Sequence, residues 1–369
     1  MAVRRDVPSV SVPGSVLDSL AIAWRRHMGA KSSRREFLDQ LILAGASAAA
    51  ALPLLEPVRA YAATGDMPYR TLGSTGEKVS LLGLGGYHLG LKTTSAEESL
   101  RVIRTAIDGG VNFLDNSWDY NGGESERRMG AALRDGYRQK VFLMTKTNGQ
   151  LKNVWNAQLE ESLRRLQTDV VDLVQFHEMN LPTDPDVLFG PNGAFEAALA
   201  AKKAGKIRYI GFTGHTDPEV HLKVLRTAAA NKFSFATVQM PLNVMDAHFR
   251  SFARQVVPEA LQQGIAVLGM KSMAAGRIVQ SKTSNVTPTE CLHYAMNLKT
   301  SVVINGCENL KDLEQGLKAA RSFRPMDQSE VANLLAKTAA VGGTGEFEYF
   351  KTMDPHILRQ SKYATFTGP

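Results

Sequence analysis

Cysteine is scarce in this chain. Cys291 and Cys307 are its only two among 369 residues. Both lie in apolar stretches without metal-ligand spacing, so neither a disulfide framework nor a zinc module is expected. Two buried thiols are the first reading, with one disulfide as the alternative. No run of eighteen apolar residues occurs, which argues against a conventional membrane-spanning helix. Concentrated charge of one sign is also lacking. The formal charge is +7, and the first 62 residues hold eight Lys/Arg against five Asp/Glu, so the excess elsewhere is small and scattered. That balance reads as a solvated surface, and nucleic acid is not expected as a partner. A Gly-x-Gly-x-x-Gly turn is missing after the first strand-like run, where Gly83-Leu84-Gly85-Gly86 leads into a loop. Its absence counts against an open, doubly wound dinucleotide-binding sheet, the runner-up architecture.

What is present is an alternation. Strand-like apolar runs fall at 81–85, 112–117, 141–146, 170–177, 209–213, 236–240, 266–270 and 301–306. Runs with apolar residues three and four apart lie between them, at 95–108, 124–134, 154–166, 194–203, 218–230, 246–263, 288–299 and 310–320. The first of these opens on Ser95-Ala96-Glu97-Glu98, a capping-box pattern. Eight βα units in succession predict an α/β chain closed as a (β/α)8 TIM barrel. A turn-rich stretch, 67–82, predicts a small hairpin before it. Residues 178–193, with three prolines, read as a long loop. Residues 324–369 run past the eighth unit and carry Phe347, Tyr349, Phe350, Tyr363 and Phe366, aromatics suited to covering the barrel mouth.

The N-terminal 62 residues read differently. Arg34-Arg35 precedes Phe37-Leu38, an apolar run of about fifteen residues follows, and Ala60-Tyr61-Ala62 puts small residues at alternate positions. These are the parts of a secretory signal. The arginine pair and weakly hydrophobic core resemble the twin-arginine export signal. The expected organisation is a leader over 1–62, a barrel over 63–323 and a C-terminal extension over 324–369. The expected location is outside the cytoplasm, in the periplasm, by export through the twin-arginine machinery; an amphipathic helix, with the protein left in the cytoplasm, is the alternative.

Chemistry-bearing residues collect at successive strand ends. Asp115 and Tyr120 follow the second strand, Lys146 ends the third and His177 ends the fourth. A barrel closes those ends around one mouth, where catalysis is found in this architecture. A phenol ionises near pH 10 and is a weak acid at neutrality. A lysine in reach is expected to lower it, and an aspartate to keep that lysine charged. A histidine can hydrogen-bond a carbonyl oxygen and fix its direction. The set is suited to carbonyl reduction.

Asn-Phe-Leu-Asp115-Asn-Ser-Trp-Asp-Tyr120, Gly-Glu-Ser-Glu126, Met-Thr-Lys146 and Val-Gln-Phe-His177 resemble the signature of the aldo-keto reductase family, from about residue 67 to residue 321. The resemblance implies an NAD(P)-dependent oxidoreductase that binds its dinucleotide without a Rossmann motif. It implies that Tyr120 protonates the carbonyl oxygen, tuned by Lys146 and Asp115, while His177 orients the substrate. Thr213-Gly214-His215 is similar to the family's Gly-x-Ser-Asn grip on the carboxamide, with Thr213 for the serine and Gly214 lacking the amide. Gln239 matches the glutamine that completes the grip, and Met270 stands where an aromatic ring usually stacks. Gly306, Glu308 and Asn309 match the adenosine-phosphate loop, and Gly86 and Tyr87 join the cofactor set.

An arginine that often binds the 2′-phosphate would align near the acidic Asp312, while Lys271 offers a cation for it; the expectation leans slightly to NADP(H) over NAD(H). Tyr87, His88, Trp118 and the long loop after His177 are expected to line the mouth against a small carbonyl or alcohol substrate. A dinucleotide-binding regulatory or redox-sensing barrel without turnover is the second functional reading. No metal is expected.

Overall fold

In a computed structural model of the chain, residues 66–354 are described. The leader reading, the residues around Arg34-Arg35 and the tail aromatics Tyr363 and Phe366 lie outside them. No helix among the described residues is long and apolar enough to cross a membrane.

The first strands, β1 (Tyr69–Thr71) and β2 (Lys78–Ser80), pair antiparallel as the expected hairpin. Eight parallel strands then close into a barrel: β3 (Leu82–Gly85), β4 (Phe113–Asp115), β5 (Phe142–Thr147), β6 (Val171–Phe176), β7 (Ile207–Thr213), β8 (Thr237–Pro241), β9 (Ala266–Met270) and β10 (Val302–Gly306). β10 pairs with β3 in parallel and shuts the ring. Each strand is followed by helix. The outer layer includes α1 (Ala96–Asp108), α2 (Glu124–Ala132), α3 (Lys152–Leu166), α4 (Asp184–Phe189), α5 (Ala194–Lys203) and α6 (Pro218–Ala230). It continues with α7 (Phe252–Gln262), α8 (Arg277–Gln280), α9 (Pro288–Asn297) and α10 (Leu310–Arg321). The Ser95 hydroxyl accepts from the Glu98 amide, the cap expected at the start of α1.

Alternation along the strands decides what faces the axis. Phe113, Phe142, Met144, Leu173, Tyr209, Leu268, Met270, Val302 and Ile304 form one inner cluster. Their adjacent strand neighbours Leu114, Leu143, Val174, Ile210, Val267 and Val303 join the outer cluster under the helices. The hairpin plugs the lower end: Leu72 and Val79 belong to the inner cluster. The buried Glu77 carboxylate takes the Arg208 guanidinium and the Tyr209 hydroxyl, the latter at 3.1 Å. Asp172 joins the floor by accepting from Arg208 at 2.9 Å and from Arg138 at 2.9 Å.

Two expectations are corrected. The stretch 178–193 contains α4; Pro185 sits in its first turn, where proline's missing N–H costs nothing. The helix expected over 246–263 begins only at Phe252. Asp246 stands outside it and accepts the amides of Phe252 and Ala253 at 2.8 and 3.0 Å, doing the work of a cap from the preceding turn. Both cysteines are free and buried.

After α10 come α11 (Gln328–Ala336), α12 (Ala339–Gly342) and α13 (Tyr349–Thr352). The last is fastened by buried charge. Lys351, fully buried, donates to Asp246 at 2.6 Å, Glu348 at 2.8 Å and the Phe249 carbonyl at 3.0 Å. Glu348 also accepts from Asn243 at 2.8 Å, and burial pushes its carboxyl up to about 7. Removing one member of such a cluster leaves uncompensated charge indoors. Lys351→Met is therefore expected to cost about 3–5 kcal/mol, read as a lowered midpoint in chemical denaturation. An unchanged midpoint would show that the cluster does not hold the segment.

Candidate active site

The parity that turns Phe113, Met144 and Leu173 inward also turns Asp115, Lys146 and His177 inward two or four residues later. Lys146 is almost wholly buried, and its ammonium donates to Asp115, to the Asn116 carbonyl at 2.8 Å and to the Tyr120 hydroxyl at 3.3 Å. Gln239 donates to the other Asp115 oxygen at 3.0 Å. Both oxygens of Asp115 are thus held, and the lysine below the phenol cannot reach solvent.

Tyr120 is delivered by a tight turn in which Asn121, Gly122 and Gly123 all take left-handed backbone. Asn121 locks the turn by donating to the Tyr87 carbonyl at 2.7 Å. At Gly123 a Cβ would fall 2.2 Å from the Arg165 guanidinium, so only glycine fits. The phenol meets Tyr87 edge-on at 5.3 Å and His177 at 5.8 Å between ring centroids. Its ionisation is pushed well above the ordinary phenol value, first by burial and then by Asp115, Asp119, Glu178 and Tyr87. This reverses the lowering expected from Lys146. The lysine charge is already matched by Asp115, while two further carboxylates face the ring.

The His177 ring is fixed from behind. Its Nδ1 lies 3.0 Å from Ser117 Oγ and 3.2 Å from Asp119 Oδ1. Ser117 Oγ is in turn 2.5 Å from that same carboxylate oxygen.

A cavity of about 660 Å³ opens at these strand ends. Tyr87, His88, Asp115, Tyr120, His177, Gln239, Met270, Lys271, Gly306 and Glu308 line it, as do Tyr349 and Phe350 of the C-terminal segment. Lys146 lies beneath. Two non-glycine residues take left-handed backbone directly after strands here, Glu178 after His177 and Lys271 after Met270.

Trp118 is a correction. It does not line the cavity; its indole N–H donates to Glu161 of α3 at 2.7 Å, and Arg165 stacks on the ring at 5.6 Å. It fills the barrel rim, and a substrate-contacting role is withdrawn. Gly86 donates its amide to the Asp115 carbonyl at 2.7 Å and lies under the rim. Asn309 accepts from the Asp312 amide at 3.1 Å and caps α10. Residues given no individual role in the sequence are Ser117, Asp119, Glu178, Asn180 and His215. The last three line the cavity, and their signal was proximity in sequence to His177 and Thr213.

The floor suits a ligand with an amide. Among the described residues, Thr213 Oγ1 and Gln239 Oε1 are buried without a hydrogen-bond partner. With Gln239 Nε2 committed to Asp115, its oxygen is left to accept from a carboxamide N–H. The nicotinamide group expected from the sequence fits these atoms. Gly214 contributes no side chain because none fits: a Cβ would fall 2.3 Å from the Met179 carbonyl and 2.7 Å from the His221 ring. His221 itself is buried, which pulls its ionisation down to about 4. Gly214→Ala is accordingly expected to lower stability by about 1–3 kcal/mol. Wild-type thermal stability in that variant would mean the loop gives way freely.

Compared with known proteins, the family model described as "Aldo/keto reductase family" matches residues 81–290. The aldo-keto reductase YhdN of Bacillus subtilis is 31% identical over 235 residues, covering 60% of this chain and 66% of its own. The aldo-keto reductase AFTS1 of Alternaria alternata is 28% identical over 267 residues, covering 62% and 69%. The chain thus spans about two thirds of the length of these curated relatives. A solved aldo-keto reductase from Bacillus halodurans, in a holo form, matches with a TM-score of 0.62 and 23% identity over 73% of this chain and 96% of that one. That likeness is one of fold.

Proposed function

Because the chain belongs to the aldo/keto reductase family, we propose that it reduces an aldehyde or ketone to an alcohol with NAD(P)H, or runs the reverse. The observation that carries this is the buried Lys146–Asp115 pair directly under the Tyr120 hydroxyl, at the mouth of the barrel. When bound, the dinucleotide supplies the hydride that the carbonyl carbon receives. Thr213, Gln239 and Met270 would hold its nicotinamide end, and Lys271, Gly306, Glu308 and the capped Asn309 its adenosine end. Tyr120 gives its proton to the carbonyl oxygen as charge develops there, and solvent restores it. His177 directs that oxygen from the opposite side. Lys146 donates to the phenol oxygen and stabilises it as the proton leaves. Tyr87 and His88 meet the substrate at the rim.

Glu308 and Asp312 set two carboxylates against the single ammonium of Lys271 where His88 meets the cavity. Repulsion of a 2′-phosphate by that pair favours NAD(H), against the slight lean to NADP(H) read from Lys271 in the sequence. Comparison of NADH and NADPH dissociation constants decides it, tighter NADPH binding reversing the assignment. The same proposal takes residues 1–62 as a twin-arginine leader, 63–323 as the barrel and 324–369 as the extension, with the folded protein exported to the periplasm. Cell fractionation with an Arg34→Lys, Arg35→Lys variant tests that; equal location of both forms would count against export.

Tyr120→Phe is expected to keep dinucleotide affinity and lose carbonyl reduction by on the order of a thousand-fold. Undiminished turnover would overturn the assignment of the acid. A phenol held well above 10 stays protonated through the neutral range. Alcohol oxidation, which needs the phenolate, should therefore keep rising past about pH 10 without a plateau. A plateau near neutrality would contradict the raised ionisation.

A further inference from the structure

The barrel has another cavity, at the end away from the mouth. Its volume is about 610 Å³, within the range of small-molecule sites. The segments that enclose it are pinned to one another. The turn after β1 donates the Ser74 amide to the Gly264 carbonyl at 2.9 Å, just ahead of β9. Ser301, just ahead of β10, donates its hydroxyl to the Thr71 carbonyl at 3.1 Å. The stretch after α10 donates the Met326 amide to Asn297 Oδ1 at 2.9 Å, at the end of α9. The turn at Gly73 lies so close to the start of β9 that a Cβ there would fall 2.6 Å from the Ala266 nitrogen. The hollow is therefore formed by the fold itself, before any ligand arrives.

Arg70 of β1 stands in the wall, half-buried. Its Nη1 donates to the Met296 carbonyl at 2.8 Å and the Thr300 carbonyl at 2.5 Å, satisfying groups that α9 leaves open at its C-terminal end. The guanidinium carbon lies 5.4 Å from the centroid of the Phe323 ring. Capping α9 takes one nitrogen, and a lysine amine would do that much. Among the described residues, Nε and Nη2 have no hydrogen-bond partner, and no carboxylate pairs with the group. Those two nitrogens form one edge of the guanidinium, with parallel N–H bonds at the spacing of two carboxylate oxygens. Burial lowers the ionisation of Arg70 from the ordinary guanidinium value, and no acid offsets that. No acidic residue lines the cavity, whereas Lys299 adds an exposed ammonium, unpaired among the described residues. Leu261, Ile265, Ala266, Phe323 and Pro325 supply apolar wall.

We propose that this cavity is a second ligand site, which takes a small carboxylate with an apolar body. The carboxylate sits on the Nε and Nη2 edge of Arg70, with Lys299 adding charge, and the body lies against Leu261, Ile265 and Phe323. A half-buried cation held only by carbonyls and a ring gains most from an anion that accepts two hydrogen bonds at once. The apolar body adds affinity by taking wall and ligand out of water together. An uncharged ligand of the same shape would cover the arginine edge without accepting from it as a carboxylate does. The site is independent of the reductase reading. It lies at the N-terminal ends of β9 and β10, whereas Tyr120 and Lys146 stand at the opposite ends of the strands.

The test uses the full chain with 2-naphthoate as the probe and 2-naphthamide as its uncharged counterpart. Amide NMR shifts locate the probe, which separates this cavity from the mouth. Millimolar 2-naphthoate should move the amides of Gly73, Gly264 and Ser301. Shifts confined to mouth residues such as Gly86 and Gly306, or no shifts at all, would overturn the proposal. Affinity is then read from the titration of the Gly73, Gly264 and Ser301 shifts. 2-Naphthamide should bind there about ten-fold more weakly than 2-naphthoate, and equal affinity would rule out the carboxylate. Arg70→Lys keeps the charge and a donor for the α9 carbonyls but loses the paired edge. It should weaken 2-naphthoate about ten-fold. Lys299→Gln, at an exposed position, should weaken it about three-fold and less in high salt. Wild-type affinity in either variant would overturn the part given to that residue, and wild-type affinity in both would overturn the site. Should Arg70→Lys fail to fold, the wild-type shifts and Lys299→Gln decide alone.

Discussion

An ion pair with no access to water organises the upper half of this barrel. Lys146 and Asp115 come from neighbouring strands, and each is almost wholly buried. Burying two charges is costly unless geometry and further hydrogen bonds recover the loss. Here the Asn116 carbonyl takes one ammonium hydrogen, Gln239 satisfies the second carboxylate oxygen, and the Tyr120 hydroxyl is the third partner of the lysine. The phenol is therefore part of what makes the pair tolerable. Its place follows from the charge below it as much as from the turn that delivers it. Because β4 and β5 supply the pair and β8 supplies Gln239, the group also reports that the strands are in register.

The electrostatics around that phenol are more acidic than a lysine-activated acid would suggest. Burial first, and then Asp115, Asp119 and Glu178, hold the phenol's proton in place. Such a phenol stays protonated through the neutral range. The imidazole beside it has a carboxylate at its back, with Asp119 Oδ1 3.2 Å from its Nδ1.

Much of this was legible in the amino-acid order. Strand periodicity and glycine turns located all eight barrel strands. The same two-residue period put Asp115, Lys146 and His177 on the axis, because each lies an even number of residues from an apolar inward neighbour. What was not legible depended on partners distant in sequence. Trp118 lies in the same short stretch as the acid and the phenol, yet Glu161 and Arg165 of α3 draw it away. Gly214 reads as a lost amide, but the Met179 carbonyl and His221 leave no room for any side chain. The direction of the Tyr120 shift could not be read from Lys146 alone, since it depends first on burial and then on the carboxylates Asp115, Asp119 and Glu178. The start of α7 was displaced by Asp246, whose carboxylate reaches forward to amides that an unbroken helix would have bonded internally.

Tyr349 and Phe350 stand in the cavity wall, anchored through Lys351 to a turn more than a hundred residues earlier in the chain. Synthesis from the N-terminus therefore completes the barrel before it completes the pocket. A nascent chain that has formed all eight strands and α10 has its ion pair, phenol and imidazole assembled, but with one side of the mouth open to water. The enclosure in which charge interactions are strengthened comes last, once residues 349–351 have been added.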